Sequence, residues 1–348
     1  MLTNPVPVSL HSEPANTPKN IIFMVGDGMG TAQVFTALTA NHGTLNLMRC
    51  TAIGFHRTQS ADQFVTDSGA GATAFAIGKK THNEAIGVDV YDEPHETILE
   101  AAKRAGRATG IVVTCSITHA TPASFYAHVP SRSQSADIAG QLLTSDLDVF
   151  VGGGRAYFDD REDGQDLIEG LQTKGYQVLD SADDFTTVAA GKLAVFTATH
   201  EPHKLAEGRG DVLFHGTKTA LTLLDQHDKG FFMVIEGSQI DWGGHANDTR
   251  YIIDEMLDFD KTVGAVLDFA HRDGNTLVVI TADHETGGLA ILDGDVGEGS
   301  VQVEFATGGH TGVMVPVFAY GPGAETFIGI YENTAIYDKM LALSGYNR

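Results

Sequence analysis

Five short apolar runs set the strongest limit on how this chain can fold: Ile21–Val25, Ile111–Cys115, Phe231–Ile235, Leu277–Ile280 and Val315–Tyr320. They are rich in β-branched residues and continuous rather than alternating, the pattern of central strands buried on both faces. Helical stretches lie between them: Glu96–Ala105 ending at Gly106, Gln134–Thr144, Val212–Gln226, and Asp248–His271 ending near Gly274. This alternation predicts an α/β fold, a three-layer sandwich with a large, mostly parallel central sheet and helices on both faces. Residues 1–19 are polar and carry Pro5, Pro7, Pro14 and Pro18, so they read as a flexible lead-in without the basic start and apolar middle of a signal peptide. No repeat, low-complexity tract or linker divides residues 20–348, which read as one domain. The stretch Asp293–Gly299 reads as a surface turn region or a loose calcium loop.

Charge narrows the partners. Lys and Arg number 22 against 45 Asp and Glu, a formal net charge of −23 that opposes a general nucleic-acid footprint. The same charge repels anionic substrates, so any phosphate site must build its own positive field, and some carboxylates are then candidates for holding cations. No apolar run approaches the roughly 20 residues of a membrane span, and no membrane partner is expected. Two cysteines, Cys50 and Cys115, make no disulfide framework, and Cys115 inside an apolar run reads as a buried, inert thiol.

In open parallel sheets ligands bind beyond the carboxyl ends of the strands. After the first run comes Gly26-Asp27-Gly28-Met29-Gly30; after the second, Thr118, His119 and Thr121; after the third, Glu236, Asp241 and His245; after the fourth, Asp283 and His284. Four strand ends could therefore converge on one polynuclear metal site. Taken singly, each motif has a plainer reading. The glycine turn around Asp27 fails the dinucleotide fingerprint because position 31 is Thr, and it serves equally as a strand-to-helix turn or a ligand. Ser68 opens a small-residue helix with Thr66 or Asp67 as N-cap, where free N–H groups favour a phosphoryl group, but a first-turn serine is common. No Gly-x-Ser-x-Gly elbow is present, so a metal is the natural activator of its hydroxyl. Asp241 and His245 lie one helical turn apart, which allows a shared ion or chance spacing. His310 sits in a glycine setting, and Arg132 is either a two-pronged phosphate grip or a surface residue.

Order and content together resemble the alkaline phosphatase family. The matching motifs, from about Asn20 to about Tyr346, are Gly26–Gly30, Val65-Thr66-Asp67-Ser68, Ile117–Pro122, Ser131-Arg132, Glu236–Asp241, Thr281–Gly288 and Gly309-His310-Thr311-Gly312. The resemblance implies a catalytic domain over residues 20–348 that hydrolyses phosphate monoesters through a phosphoserine at Ser68, with Arg132 as phosphate clamp and Asp67 orienting it. It assigns one zinc to Asp241, His245 and His310, a second to Asp27, Asp283, His284 and the Ser68 oxygen, and magnesium to Asp27, Thr121 and Glu236. Imidazole and carboxylate suit zinc, and an all-oxygen set suits magnesium. Against four ligand carboxylates, three divalent ions and Arg132 leave a positive surplus that matches a phosphate dianion. With most binding on the phosphoryl group, broad leaving-group tolerance is expected. A homodimer and a periplasmic or secreted location follow from the resemblance alone.

Three departures stand out. His119 and Trp242 occupy positions that are Asp and Lys in the enteric bacterial member, and His119 is expected beside a metal-bound water rather than on the metal. Thr286 replaces a histidine that supports a zinc ligand, so that support must come from elsewhere or be absent. The chain also leaves little room for the large peripheral insertions of many relatives. Other readings are a phosphodiesterase or phosphoglycerate mutase of the same superfamily, or an inactive phosphate- or metal-binding protein; a sulfatase is disfavoured because Thr66-Asp67-Ser68-Gly69 lacks a cysteine to modify.

Overall fold

A computed structural model describes residues 17–180 and 185–346. Its framework is a ten-stranded sheet with the spatial order Gly329–Glu332, Ala52–Arg57, Val315–Tyr320, Thr276–Thr281, Asn20–Gly26, Phe231–Gly237, Ala108–Ser116, Val149–Gly153, Lys192–Phe196 and Tyr176–Leu179. The central strands are buried throughout, and alternate side chains divide between two cores. Ile21, Phe23 and Val25 join one core with Phe75, Ile98 and Ile138, while Ile22 and Met24 join the other with Leu213, Ile252 and Phe259. Helices thus cover both faces, and the α/β sandwich holds.

The helix ends follow capping chemistry. Thr97, not Glu96, caps the first expected helix, which runs Ile98–Arg104: its hydroxyl accepts from Glu100 N–H while the Glu100 carboxylate accepts from Thr97 N–H. The others run Ser135–Ser145, Val212–Leu224 and Thr249–Asp273, the last between an Asp248 N-cap and a left-handed Gly274 C-cap. Asp293–Gly299 spans the turn of a hairpin formed by Leu289–Asp295 and Ser300–Phe305, as the turn reading required. Much of the lead-in, residues 1–16, lies outside the described residues, and Lys19 N–H already bonds Asn275 C=O at 2.8 Å. Among the described residues, no helix is long and apolar enough to cross a membrane.

One strand of the sheet is reversed, and this positions the site. Val315–Tyr320 pairs antiparallel with Thr276–Thr281 and with Ala52–Arg57, whereas the other pairings in the sheet are parallel. A reversed strand begins where its neighbours end. His310, which precedes it, therefore reaches the same edge as Asp283 and His284, which follow their strand.

Candidate active site

Asp67 closes the N-terminus of the Ser68–Ile77 helix, its Oδ1 accepting from Ala70 N–H and Glu84 N–H, each at 3.0 Å. All ten residues of this helix are buried, and small side chains let it press against the sheet edge: a Cβ at Gly71 would stand 3.0 Å from Asp283 Cβ. Ser68 Oγ in the first turn faces two ligand-type groups, donating to Asp27 Oδ2 at 3.3 Å and lying 3.1 Å from His284 Nε2. Free N–H groups and the helix dipole make this a place for an anion. The turn that delivers Asp27 needs glycine at position 28, where φ is +74° and a Cβ would meet Asp241 Cα at 2.8 Å.

Three groups of ligand-type atoms surround this serine. In the first, His284 Nε2 lies 3.1 Å from Asp283 Oδ2 and 3.5 Å from Asp27 Oδ1, with all three side chains fully buried. In the second, His245 Nε2 is 3.3 Å from Asp241 Oδ2, and His310 Nε2 is 3.5 Å from Asp241 Oδ1 and 3.1 Å from His245 Nε2. The rings of His284 and His310 stack at 3.5 Å and join the two groups. The third brings Cys115, His119 and Glu236 together. Asp27 Oδ1, Asp283 Oδ2, Glu236 Oε1, Thr121 Oγ1 and His119 Nδ1 are buried without a hydrogen-bond partner. Oxygens and imidazole nitrogens orphaned in this way fit divalent cations.

The electrostatics agree. Burial, then Asp283, Asp241 and Glu236, push the Asp27 carboxyl well above its ordinary range. Burial raises Glu236 to about 7 despite hydrogen bonds that oppose it. Burial also works against Asp241, but His245, His284 and His310 hold its carboxyl below the usual value. The Asp241 hydrogen bond lifts His245 to about 9, while burial and then His284 push His310 down to about 4. Carboxylates this crowded repel one another until cations intervene.

Arg132 is gripped from two sides. Its Nη1 donates to Asp67 Oδ2 at 2.9 Å and its Nη2 approaches His119 Nε2 at 3.2 Å. His119 can accept because burial, then Arg132, lower it to about 4 and keep it neutral. Trp242 packs edge-on against this imidazole, ring centres 6.3 Å apart. Thr286 corrects the expectation that support would come from elsewhere or be absent: its hydroxyl donates to Asp241 Oδ1 and lies 3.2 Å from His284 Nδ1, so threonine itself braces a ligand of each group. Cys115 is free and buried, as expected, and its thiol faces two acceptors at 3.3 Å, Glu236 Oε2 and Ser116 C=O. Sequence reasoning missed Glu285, which is buried and accepts from Gln33 Nε2 at 2.7 Å and Leu289 N–H at 3.1 Å. A third charged residue directly after Asp283-His284 was the available signal.

A sequence model of the alkaline phosphatase family matches residues 18–300 and 295–346. The chain belongs to the alkaline phosphatase family. Alkaline phosphatase 3 of Bacillus subtilis (strain 168) is 34% identical over 94% of this chain and 89% of that protein. The alkaline phosphatase from the Antarctic bacterium TAB5 superposes with a TM-score of 0.91 at 43% identity, covering 95% of this chain and all of that one. A His-to-Asp mutant of the TAB5 enzyme has Mg bound in its M3 site. Like these alkaline phosphatases, the chain is a phosphomonoester hydrolase, and candidate metal-ligand groups surround its Ser68.

Proposed function

We propose that this alkaline phosphatase works through a phosphoserine at Ser68. The observation that carries the reading is the position of Ser68 Oγ, at a buried helix N-terminus and within hydrogen-bond reach of both Asp27 and His284. Asp241, His245 and His310 would hold one zinc; Asp27, Asp283 and His284 with the Ser68 oxygen a second; and Asp27, Thr121 and Glu236 a third ion, magnesium by the resemblance. Bound there, the ions supply Lewis-acid activation of a hydroxyl and charge stabilisation of the departing oxygen.

Ser68 Oγ gives up its proton to solvent and attacks phosphorus in line, forming the Ser68–phosphate bond as the bond to the leaving oxygen breaks, and the departing alkoxide takes a proton from water to leave as the alcohol. Arg132 grips two phosphoryl oxygens, its guanidinium held in plane by Asp67 and His119. Water then cleaves the phosphoserine, releasing inorganic phosphate and restoring the hydroxyl. Because these contacts fall on the phosphoryl group, the leaving group is loosely specified and small-molecule monoesters are the substrates. Assembly as a homodimer and a periplasmic or secreted location belong to the same reading. Metal analysis paired with assays of chromogenic mono- and diesters tests it: zinc in the purified enzyme with monoester turnover far above diester turnover is expected, and dominant diester turnover would move the chain to a phosphodiesterase.

Arg132→Ala removes a charge-assisted pair of hydrogen bonds and no metal ligand. Inhibition by inorganic phosphate should weaken by roughly tenfold to a hundredfold. Unchanged phosphate inhibition would count against the clamp.

His119→Asp places an anion beside Glu236 and Thr121, where the wild type has a neutral imidazole. Magnesium affinity should rise by about tenfold or more, and wild-type enzyme should regain activity when magnesium follows mild chelation. An unaltered magnesium midpoint in titrations of the variant would show that position 119 does not tune this site.

A further inference from the structure

The third group of ligand-type atoms contains a sulfur. Cys115 is the last residue but one of the fully buried Ala108–Ser116 strand and Glu236 the last but one of the fully buried Phe231–Gly237 strand, and these strands are parallel neighbours. Their pairing brings Cys115 Sγ to 3.3 Å from Glu236 Oε2. One ring nitrogen of His119 completes the group, its ligand atom and those of Cys115 and Glu236 all lying within 4.8 Å of one another. Arg132 occupies His119 Nε2, which leaves Nδ1 as the uncommitted nitrogen.

Two independent facts point to a ligand here. Glu236 and Thr121 are 0% exposed, Glu236 Oε1 and Thr121 Oγ1 have no well-formed hydrogen bond and no neighbour but each other to make one, and His119 Nδ1 lacks a partner. The Sγ to Oε2 spacing also has the right size: bonds of about 2.3 Å to sulfur and 2.0 Å to oxygen at a tetrahedral angle put the two ligand atoms about 3.5 Å apart. The donor set is therefore sulfur, nitrogen and oxygen, where an ordinary magnesium site offers oxygen alone. Magnesium demands near-octahedral oxygen ligation, whereas thiolate and imidazole select zinc-class ions.

We infer that Cys115 is a ligand at the third site and makes that site prefer zinc or cobalt over magnesium, which still binds there when it is the ion supplied. The inference rests on the three-ion reading above. On binding, the Cys115 thiol releases its proton to solvent, the S–H···Oε2 contact is exchanged for two bonds to one ion, and no redox change is involved.

Cobalt titration of the metal-free protein tests this without an activity measurement. The expected result is three cobalt equivalents per chain, one of them bringing a near-ultraviolet cobalt–thiolate charge-transfer band. Cys115→Ser and Cys115→Ala should lack that band while still filling the two histidine-rich sites. In zinc and magnesium competition read by metal analysis, the preference of the third site for zinc should fall by at least about tenfold in the variants. Three equivalents in the wild type with no thiolate band, or a band that persists in both variants, would overturn the role of Cys115 and leave the three-ion reading standing. Only two equivalents in wild type and variants alike would overturn the third site itself, and the inference with it. The wild-type spectrum decides the matter even if both substitutions prevent folding.

Discussion

Ser68→Ala is expected to abolish the phosphoenzyme and lower monoester turnover by on the order of a thousandfold or more, with the zinc content nearly unchanged. The size of the effect follows from covalent catalysis, because removing the atom that forms the bond to phosphorus leaves only binding and electrostatic contributions. The selectivity follows from local structure. Asp67, not Ser68, caps the helix, and alanine is a good first-turn residue, so the backbone N–H groups stay where they are. Asp27, Asp283 and His284 keep their positions as well, since their anchors lie elsewhere: Asp283 Oδ1 accepts from Gly28 N–H at 3.3 Å, and Thr286 faces His284 Nδ1. The Thr66 hydroxyl is turned onto its own backbone, bonding Asp67 C=O at 3.0 Å. Trapping with labelled monoester, followed by peptide mapping, would find no labelled peptide in the variant. A full yield of phosphorylated enzyme on another residue would falsify the assignment.

What could be read in advance follows from where the physical signal is local. Continuous apolar runs showed the four central strands because both their faces are buried, a constraint that each residue feels alone. The flanks were not legible. Ala52–Arg57 alternates buried with exposed or half-buried positions and includes Gly54 and His56, and it becomes a strand only by pairing with residues 315–319 and 329–332. Reversal of Val315–Tyr320 was equally hidden, since an apolar run carries no direction. At the site, Asp27, Ser68, Asp283 and His284 stood in short motifs, and their assembly was implied by the resemblance. The groups that tune them were not visible: Cys115 meets Glu236 across 121 residues and Thr286 meets Asp241 across 45. Thr286 was misjudged because a threonine in place of a histidine looks like a loss, whereas Cys115 is free and buried as expected and only its position against Glu236 was hidden.

Arg209→Met should destabilise the protein by about 3–5 kcal/mol near pH 8, and by distinctly less near pH 5. Arg209 sits in a Gly208-Arg209-Gly210 loop with no periodic signal, yet its side chain is only 2% exposed and bridges two carboxylates of the Thr249–Asp273 helix. Nη2 donates to Glu255 Oε2 at 2.7 Å and to Asp258 Oδ2 at 2.8 Å, and Nη1 donates to Glu255 Oε1 at 3.1 Å. Methionine retains much of the volume but leaves both carboxylates buried without their cation. The pH dependence comes from Asp258, which burial pushes up to about 6 even though Arg209 pulls it down. A carboxyl raised in the folded state contributes its full stability below about pH 4, its unfolded value, and loses it as pH rises through the folded value. Without Arg209 the lowering influence disappears, so the loss extends to higher pH and the gap between variant and wild type widens from pH 5 to pH 8. Urea unfolding of both proteins at each pH, at matched zinc, reads this gap directly, because the effect of pH on the metal ligands is common to both. The same helix packs on the Gln239–His245 helix, where a Cβ at Gly243 would meet Ile252 at 2.9 Å. Equal destabilisation at the two pH values would mean that Arg209 acts through packing and not through the charge it places between Glu255 and Asp258.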